Sequence, residues 1–529
     1  METKDKRSSA PGYKWIVLII TMIGAFMASL DSSIVNVSLP SIMSDFGSST
    51  SSIELIMTGY MLAMAVTMPL TGWIRDRIGY KNLFIASLFV FTSGSLLCGL
   101  SWNLPVLVLA RVIQALGAGA ITPTVMAMMT EVFPGEERGK ALGFYGMGVT
   151  IAPAIGPVLG GFLTSFLGWR SIFMVNLPIG VICMTIGLSM LSDDVPHNSM
   201  NKPFDFWGFS FLTVFLVPLL LGISKGEEQG WSSPFILACG VTAILGFIGF
   251  ILAESHTEEK LVDLDLFKVP VFTSCIVVTA VRAIILFGGT FLLPLFIQRV
   301  IGYDALTCGL IMLPTALTMA VLMPIAGIFS DKSSPRLMVI AGIVVMGISM
   351  FMYWNLDITT SITGIIIPTV VRSLGMALLN APIIVAMMNS IPKQKIGMAT
   401  SMVSILLQVG GSLGIAIFGT MQLNRATFHL NAVTETVTNL NLWTGGIASQ
   451  AHNAGLTYAN SMAVANGVLI RNVYQAATVM SYQDVFIIAG ILILLSIPLA
   501  FLLPTKTIAP KGTAVKKPPV KSNVTIEAA

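Results

Sequence analysis

The chain has 529 residues, of which 55% are hydrophobic and only 10% charged. Soluble globular domains carry about 25% charged residues, so a soluble enzyme or binding module is excluded and an all-α integral membrane protein is expected. The net charge of +4 is small, and its cations sit where membrane insertion places them, not where nucleic acid would need them.

A spanning helix needs about 20 apolar residues. Fourteen runs are long enough: 14–38, 55–74, 83–101, 104–128, 141–167, 171–191, 206–224, 234–253, 271–297, 305–328, 338–355, 361–388, 396–420 and 484–504. With an even number of spans both termini share one side. Taking that side as cytoplasmic, 21 of the 29 Lys and Arg fall on it, and Arg170, Lys225, Arg299, Arg425 and Arg471 lie opposite. This inside-positive bias fixes the expected orientation. Arg111, Arg282 and Arg372 fall inside spans.

The first run, Trp15 to Leu39, contains Asp31 and no Lys or Arg. A carboxylate at membrane depth costs a few kcal/mol or more and by default marks function. In an apolar setting the neutral form of a carboxyl is the cheaper one, which suits a group that exchanges a proton. The alternative is an acid close enough to the outer end to reach solvent. The run has no small-residue cleavage site and is too long for a signal-peptide core.

The second run ends in Met68-Pro69-Leu70-Thr71-Gly72-Trp73-Ile74-Arg75-Asp76-Arg77, followed by Gly79. Met323-Pro324-Ile325-Ala326-Gly327-Ile328-Phe329-Ser330-Asp331-Lys332 repeats it 255 residues later. Such parallel halves are a transporter architecture. Spans 1–6 and 9–14 each supply one copy, so residues 14–191 and 269–504 form six-helix bundles and 192–268 carries two inserted helices. Gly72 and Gly79 permit a tight turn. Asp76 can cap a helix or pair with a cation across the halves, and Asp331 with Lys332 can do the same. These residues are expected to form a cytoplasmic gate.

In span 4, Arg111 lies about 10 Å below the outer end, and Asp31 about 12 Å below it in span 1. Opposite charges at matching depth are expected to pair. Span 5 carries Gly148, Ala152-Pro153, Gly156-Pro157 and Gly160-Gly161. Small residues four apart allow close helix approach, and prolines remove backbone donors and kink a helix. A hinge or tight crossing at the interface of the halves is expected here.

Arg282 and Arg372 lie near mid-depth in spans 9 and 12. With Arg111 they set three cations against one clear acid, so the cavity is expected to be electropositive, with Arg282, Arg372 and Gln408 as candidate substrate-cavity residues. The alternative is that both arginines bind backbone carbonyls or amides such as Asn380 and Gln408. Residues 421–483 read as a long extracytoplasmic loop, functional or disordered. The tail 505–529, with Lys511, Lys516 and Lys517, suits an anionic inner leaflet, and 1–13 forms the cytoplasmic N-terminus.

Other chemistry finds no support. Gly135 to Lys140 is too short for a phosphate loop and lacks its Ser/Thr. The four His are scattered, and the five Cys stand singly without metal or disulfide spacing. No metal, cofactor or nucleic-acid partner is expected.

The residues quoted carry a family resemblance. Leu30-Asp31-Ser32-Ser33-Ile34-Val35-Asn36 through Pro40, the Gly72 loop, Arg111 with Gly117, and Gly156-Pro157 with Gly160-Gly161 resemble the major facilitator superfamily, and within it the fourteen-span drug:proton antiporters of the EmrB/QacA type. Gln475-Ala476 and Tyr482 to Phe486 resemble that family's approach to its last span. The resemblance implies a secondary active transporter driven by a proton gradient, with Asp31 exchanging the proton and Arg111 tuning it. It also implies a multi-pass protein of the bacterial cytoplasmic membrane that exports drugs or other amphiphiles. Where the cell has two membranes, it implies a periplasmic adaptor and an outer-membrane channel. A dedicated exporter of one metabolite, such as a siderophore or fatty acid, is the alternative. A sensor on the same fold and an importer are the more distant ones.

Overall fold

The computed structural model describes residues 12–48, 50–192, 204–257, 262–303, 305–437, 441–454 and 457–505. Lys511, Lys516 and Lys517 of the tail and most of the expected N-terminal segment lie outside these. Among the described residues every regular element is helical. Twelve helices are long and apolar enough to cross a membrane, or thirteen when a bent helix is counted, and one shorter apolar helix covers Leu55–Thr67.

The first half comprises α1 (Tyr13–Phe46), α2 (Thr50–Thr67), α3 (Leu70–Gly99), α4 (Leu104–Val132), α5 (Arg138–Leu167), the single turn α6 (Ser171–Met174) and α7 (Asn176–Met190). The hairpin α8 (Phe206–Gln229) and α9 (Pro234–His256) follows. The second half comprises α10 (Pro270–Leu295), prolonged by a π-helical stretch to Ile301, then α11 (Ala305–Lys332), α12 (Pro335–Phe351) and α13 (Ile362–Asn389). It closes with α14 (Ile396–Val437), α15 (Asn441–Asn453), α16 (Tyr458–Leu494) and α17 (Ile497–Ala500). Local chemistry sets several starts. Asn103 accepts from the Val106 N–H at 2.9 Å, and Asp205 from that of Gly208 at 2.8 Å. Prolines open α9, α10 and α12, where a missing N–H costs nothing.

Packing repeats between the halves. In the first, α1 lies on α5 and α3 on α4; in the second, α10 lies on α14 and α12 on α13. The halves meet where α5 packs on α11 and where α14 packs on α4 and α3. The α8–α9 hairpin lies beside α2 and α14. Its two helices approach closely where a Cβ on Gly246 would stand 2.6 Å from the Phe215 nitrogen. Large apolar side chains such as Phe166, Trp207, Leu237 and Leu245 remain exposed, as expected of a surface solvated by lipid tails.

Three boundaries differ from expectation. The second span, expected over 55–74, closes at Thr67 as α2. Helix resumes at Leu70, and the chain departs from helical geometry at Gly79, whose φ of 77° only glycine adopts readily. Residues 421–483, expected as a long loop, are helical wherever secondary structure is described beyond the turns: α14 continues to Val437, α15 covers Asn441–Asn453 and α16 begins at Tyr458. The polar composition suggested a coil, yet 421–437 holds neither Gly nor Pro and 458–483 holds one Gly, so nothing stops the helices. They are tied together by Asp484, which accepts from Arg425 at 2.6 Å and lies 2.7 Å from His429 Nε2, and by Gln422, which donates to Ser481 at 3.0 Å.

The third difference concerns α5. It bends by 44° between Pro153 and Val158, where the two prolines predict a kink. Its distal glycines do not face the other half. A Cβ on Gly148 would meet Met22, one on Gly156 would lie 2.6 Å from Ser33 Oγ, and one on Gly160 2.8 Å from Ile34, all on α1 of the same half. Gly161 has open space around it. The half-to-half contact uses other glycines of α5, near its start.

Candidate functional site: a buried ion pair and a closed base

Asp31 on α1 and Arg111 on α4 are both fully buried. Arg111 Nη1 donates to Asp31 Oδ2 at 2.6 Å. Asp31 Oδ1 accepts from the Gln114 amide at 2.9 Å and from the Asn176 amide at 2.9 Å. Those two amides also donate to Ser95 Oγ, at 3.1 and 3.0 Å. Arg111 donates as well to Gln114 Oε1 at 2.7 Å. Its guanidinium lies 3.9 Å from the Tyr60 ring centroid and 5.7 Å from that of Phe173. Three helices, α1, α4 and α7, thus meet at one carboxylate, and α2 and α3 surround it with Tyr60 and Ser95.

This arrangement amends the view of a lone acid. Its carboxylate is met by two amide donors and a guanidinium. Burying two charges costs several kcal/mol each and is offset only when geometry is good and the remaining donors and acceptors are used. Gln114, Asn176 and Ser95 supply that. Gln114 stands three residues after Arg111 and so shares its helix face. Asn176 is the one amide in the run 171–191. Both signals were available, and neither residue was singled out from the sequence.

The repeated segments lie at the end of the bundle that bears the start of α1 and the end of α17, called here the base. Asp331 accepts from the backbone N–H of Gly139 at 2.7 Å and of Lys140 at 2.9 Å, which caps the first turn of α5 from the opposite half. Lys332 ends α11 beside it. Backbones touch there: a Cβ on Gly139 would lie 2.5 Å from Gly327 O, and one on Gly143 2.5 Å from Met323 O. Arg138 donates to Asn389, and Thr71 and Ser401 share a hydrogen bond at 2.6 Å. Gly72 faces the Met398 backbone, 3.6 Å from where its Cβ would be. Asp76 accepts from its neighbour Arg75 at 2.8 Å, Arg75 reaches Glu131 at 3.3 Å, and Arg77 stacks 4.1 Å from the Trp73 ring. The base is closed.

The structure leaves Arg282 on α10 and Arg372 on α13 buried, 4% and 3% exposed. Arg282 Nε and Arg372 Nη1 have no hydrogen-bond partner, and no ion pair reaches either residue among those described. Neither Asn380 nor Gln408 binds them. Gln408 is half-buried on α14, and Asn380 instead points toward Gly146 of α5.

Comparison with known proteins agrees with this architecture. Residues 21–415 match the family model of the Major Facilitator Superfamily. An uncharacterised MFS-type transporter of Bacillus subtilis, YhcA, is 31% identical over 488 residues, covering 91% of each chain. The multidrug export protein EmrB of Escherichia coli is 29% identical over 489 residues, covering 91% of this chain and 93% of its own. Among solved structures, the human organic anion transporter MFSD10 superposes with a TM-score of 0.61 at 12% identity, covering 93% of this chain and all of its own; that likeness concerns the fold alone. The chain is a multi-pass transporter, not an enzyme, and belongs to the drug-efflux, EmrB-type branch of the major facilitator superfamily.

Proposed function

We propose that this chain is a proton-coupled antiporter that exports amphiphilic small molecules across the bacterial cytoplasmic membrane, with a preference for anionic ones and with both termini in the cytoplasm. The observation that supports coupling is the Asp31 carboxylate of α1, bonded from α4 and α7 and ringed by α2 and α3. A proton taken up there removes the charge that Arg111, Gln114 and Asn176 hold in common. Arg111 is then left cationic beside Tyr60, and the helices lose a reason to keep their present spacing. Coupling of this kind needs two arrangements biased by one bound proton.

Closure at the base supports alternation. Asp331 capping α5, the Gly139–Gly327 approach and the Thr71–Ser401 bond would all part when the cavity opens to the cytoplasm. The unpaired Arg282 and Arg372 support the anion preference, since a desolvated cation without a partner favours an anionic ligand. In a cell with two membranes, the α14–α15–α16 hairpin is the surface an adaptor would meet.

The test is transport by reconstituted vesicles under an imposed pH difference, with one cationic dye and one acidic dye. Wild type should accumulate both, the acidic one faster, and Asp31→Asn should lose uphill transport of each. Uphill transport by Asp31→Asn driven by the same gradient would end the coupling argument. Faster transport of the cation would end the anion preference.

A further inference from the structure

The repeat sets up a comparison that the ion pair alone does not. In the first half, an arginine on the fourth span (Arg111 on α4) reaches an acid on the first span (Asp31 on α1). In the second half, an arginine on the fourth span (Arg372 on α13) reaches the first span (α10) at Gly289. Its Nη1 lies 2.7 Å from the place a Cβ on Gly289 would occupy. The acid's role has no occupant there. Arg282 does not fill it either, being a second cation two turns, about 10 Å, along α10.

The surroundings of Arg372 are polar and unspent. On α11, Thr315 has a buried Oγ1 without a partner. Thr315 is close, because Ser373, next to Arg372 in the chain, donates to the Thr315 carbonyl at 3.2 Å. Tyr353 is fully buried with its hydroxyl unpartnered and lies within electrostatic reach of Arg372. The Tyr353 hydroxyl and a guanidinium with five N–H groups therefore stand together with no counter-charge among the described residues. A buried guanidinium cannot shed its proton, and a buried unpaired charge costs several kcal/mol.

We infer that the second half contains an anion site centred on Arg372, with Tyr353 as an auxiliary donor and Gly289 leaving the space beside the guanidinium open, and that it takes a single carboxylate group. A carboxylate matches the guanidinium fork in a way that a halide does not. This deepens the anion preference proposed above and rests on that reading for what is carried; binding itself can be measured without transport.

The experiment is calorimetric titration of the purified full-length protein with benzoate, with benzyl alcohol and chloride as neutral and spherical comparisons, alongside melting temperature without ligand. Wild type should bind benzoate and not benzyl alcohol. Arg372→Gln should weaken benzoate at least tenfold. Gly289→Asp keeps the arginine but supplies a tethered carboxylate; it should weaken benzoate as much, and its melting temperature should be at or above that of wild type. Equal benzoate affinity in wild type and Gly289→Asp, chloride binding as tightly as benzoate, or no benzoate binding by wild type would each overturn the inference. Benzoate binding that persists where vesicles show no proton-driven transport would sink the exporter reading and leave the site standing.

Discussion

Asp31 and Arg111 are each fully buried and 2.6 Å apart, yet losing either partner should not cost the same. Asp31→Leu leaves a guanidinium with one acceptor, Gln114 Oε1, and the Tyr60 face. It has no way to neutralise itself, so the loss should be about 3–5 kcal/mol. Arg111→Met leaves a carboxylate that keeps the Gln114 and Asn176 amides and can take a proton. Its loss should be about 1–3 kcal/mol at neutral pH and should shrink as the pH is lowered. The double variant removes both charges and leaves the amides bonded through Ser95. Apolar replacement of a buried pair is often near neutral, so the cycle should give a coupling of at least about 2 kcal/mol. Unfolding in mixed detergent–SDS micelles, followed by tryptophan fluorescence, measures all four proteins. Additive losses, or an Arg111→Met deficit equal to that of Asp31→Leu at every pH, would refute the reasoning.

Two further outcomes follow from the ends of the bundle. Asp331→Ala removes the cap on α5 and should cost the closed base about 1 kcal/mol, raising the open population about fivefold. Thiol labelling of a Ser401→Cys variant, buried when closed, should accelerate by that factor, and an unchanged rate would count against the cap. At the other end, Trp169 and Arg170 both donate to Asp45 at 3.0 Å and hold its carboxyl below the usual carboxylate range. A depressed folded value gives stability that is complete above the unfolded value, about 4, and is lost as pH falls through the folded one. Asp45→Asn should therefore lower the melting temperature by a constant amount from pH 8 down to about pH 5, with the difference closing only below about pH 4. A difference that already shrinks between pH 7 and pH 6 would contradict this.

What could be read from the sequence was what is costly in lipid. Asp31, Arg111, Arg282 and Arg372 stand out because charge in an apolar run is expensive, and matched depth was enough to pair the first two. Gln114, Asn176 and Ser95 did not stand out, since amides and hydroxyls are tolerated in spans and only the fold shows that they share one carboxylate. The repeat of Met68 to Arg77 at Met323 to Lys332 pointed to the base. Which copy caps a helix could not be read, because Asp76 and Asp331 are alike in sequence and differ only in what lies opposite. The outer segment was misread for a different reason: Asn, Thr and Ser suggested coil where the lack of Gly and Pro left the helix free to run on.

That run-on helix has a mechanical consequence. At 42 residues, α14 is roughly 60 Å long, and it touches the first half near its start, at Ser401 and Met398, while its far end is clasped to α16 through Asp484. It is a pointer pivoting close to one end. Each degree of tilt at the bottom would sweep the top by about 1 Å, so whatever rests on the summit would feel the transport cycle as a stroke of several ångströms.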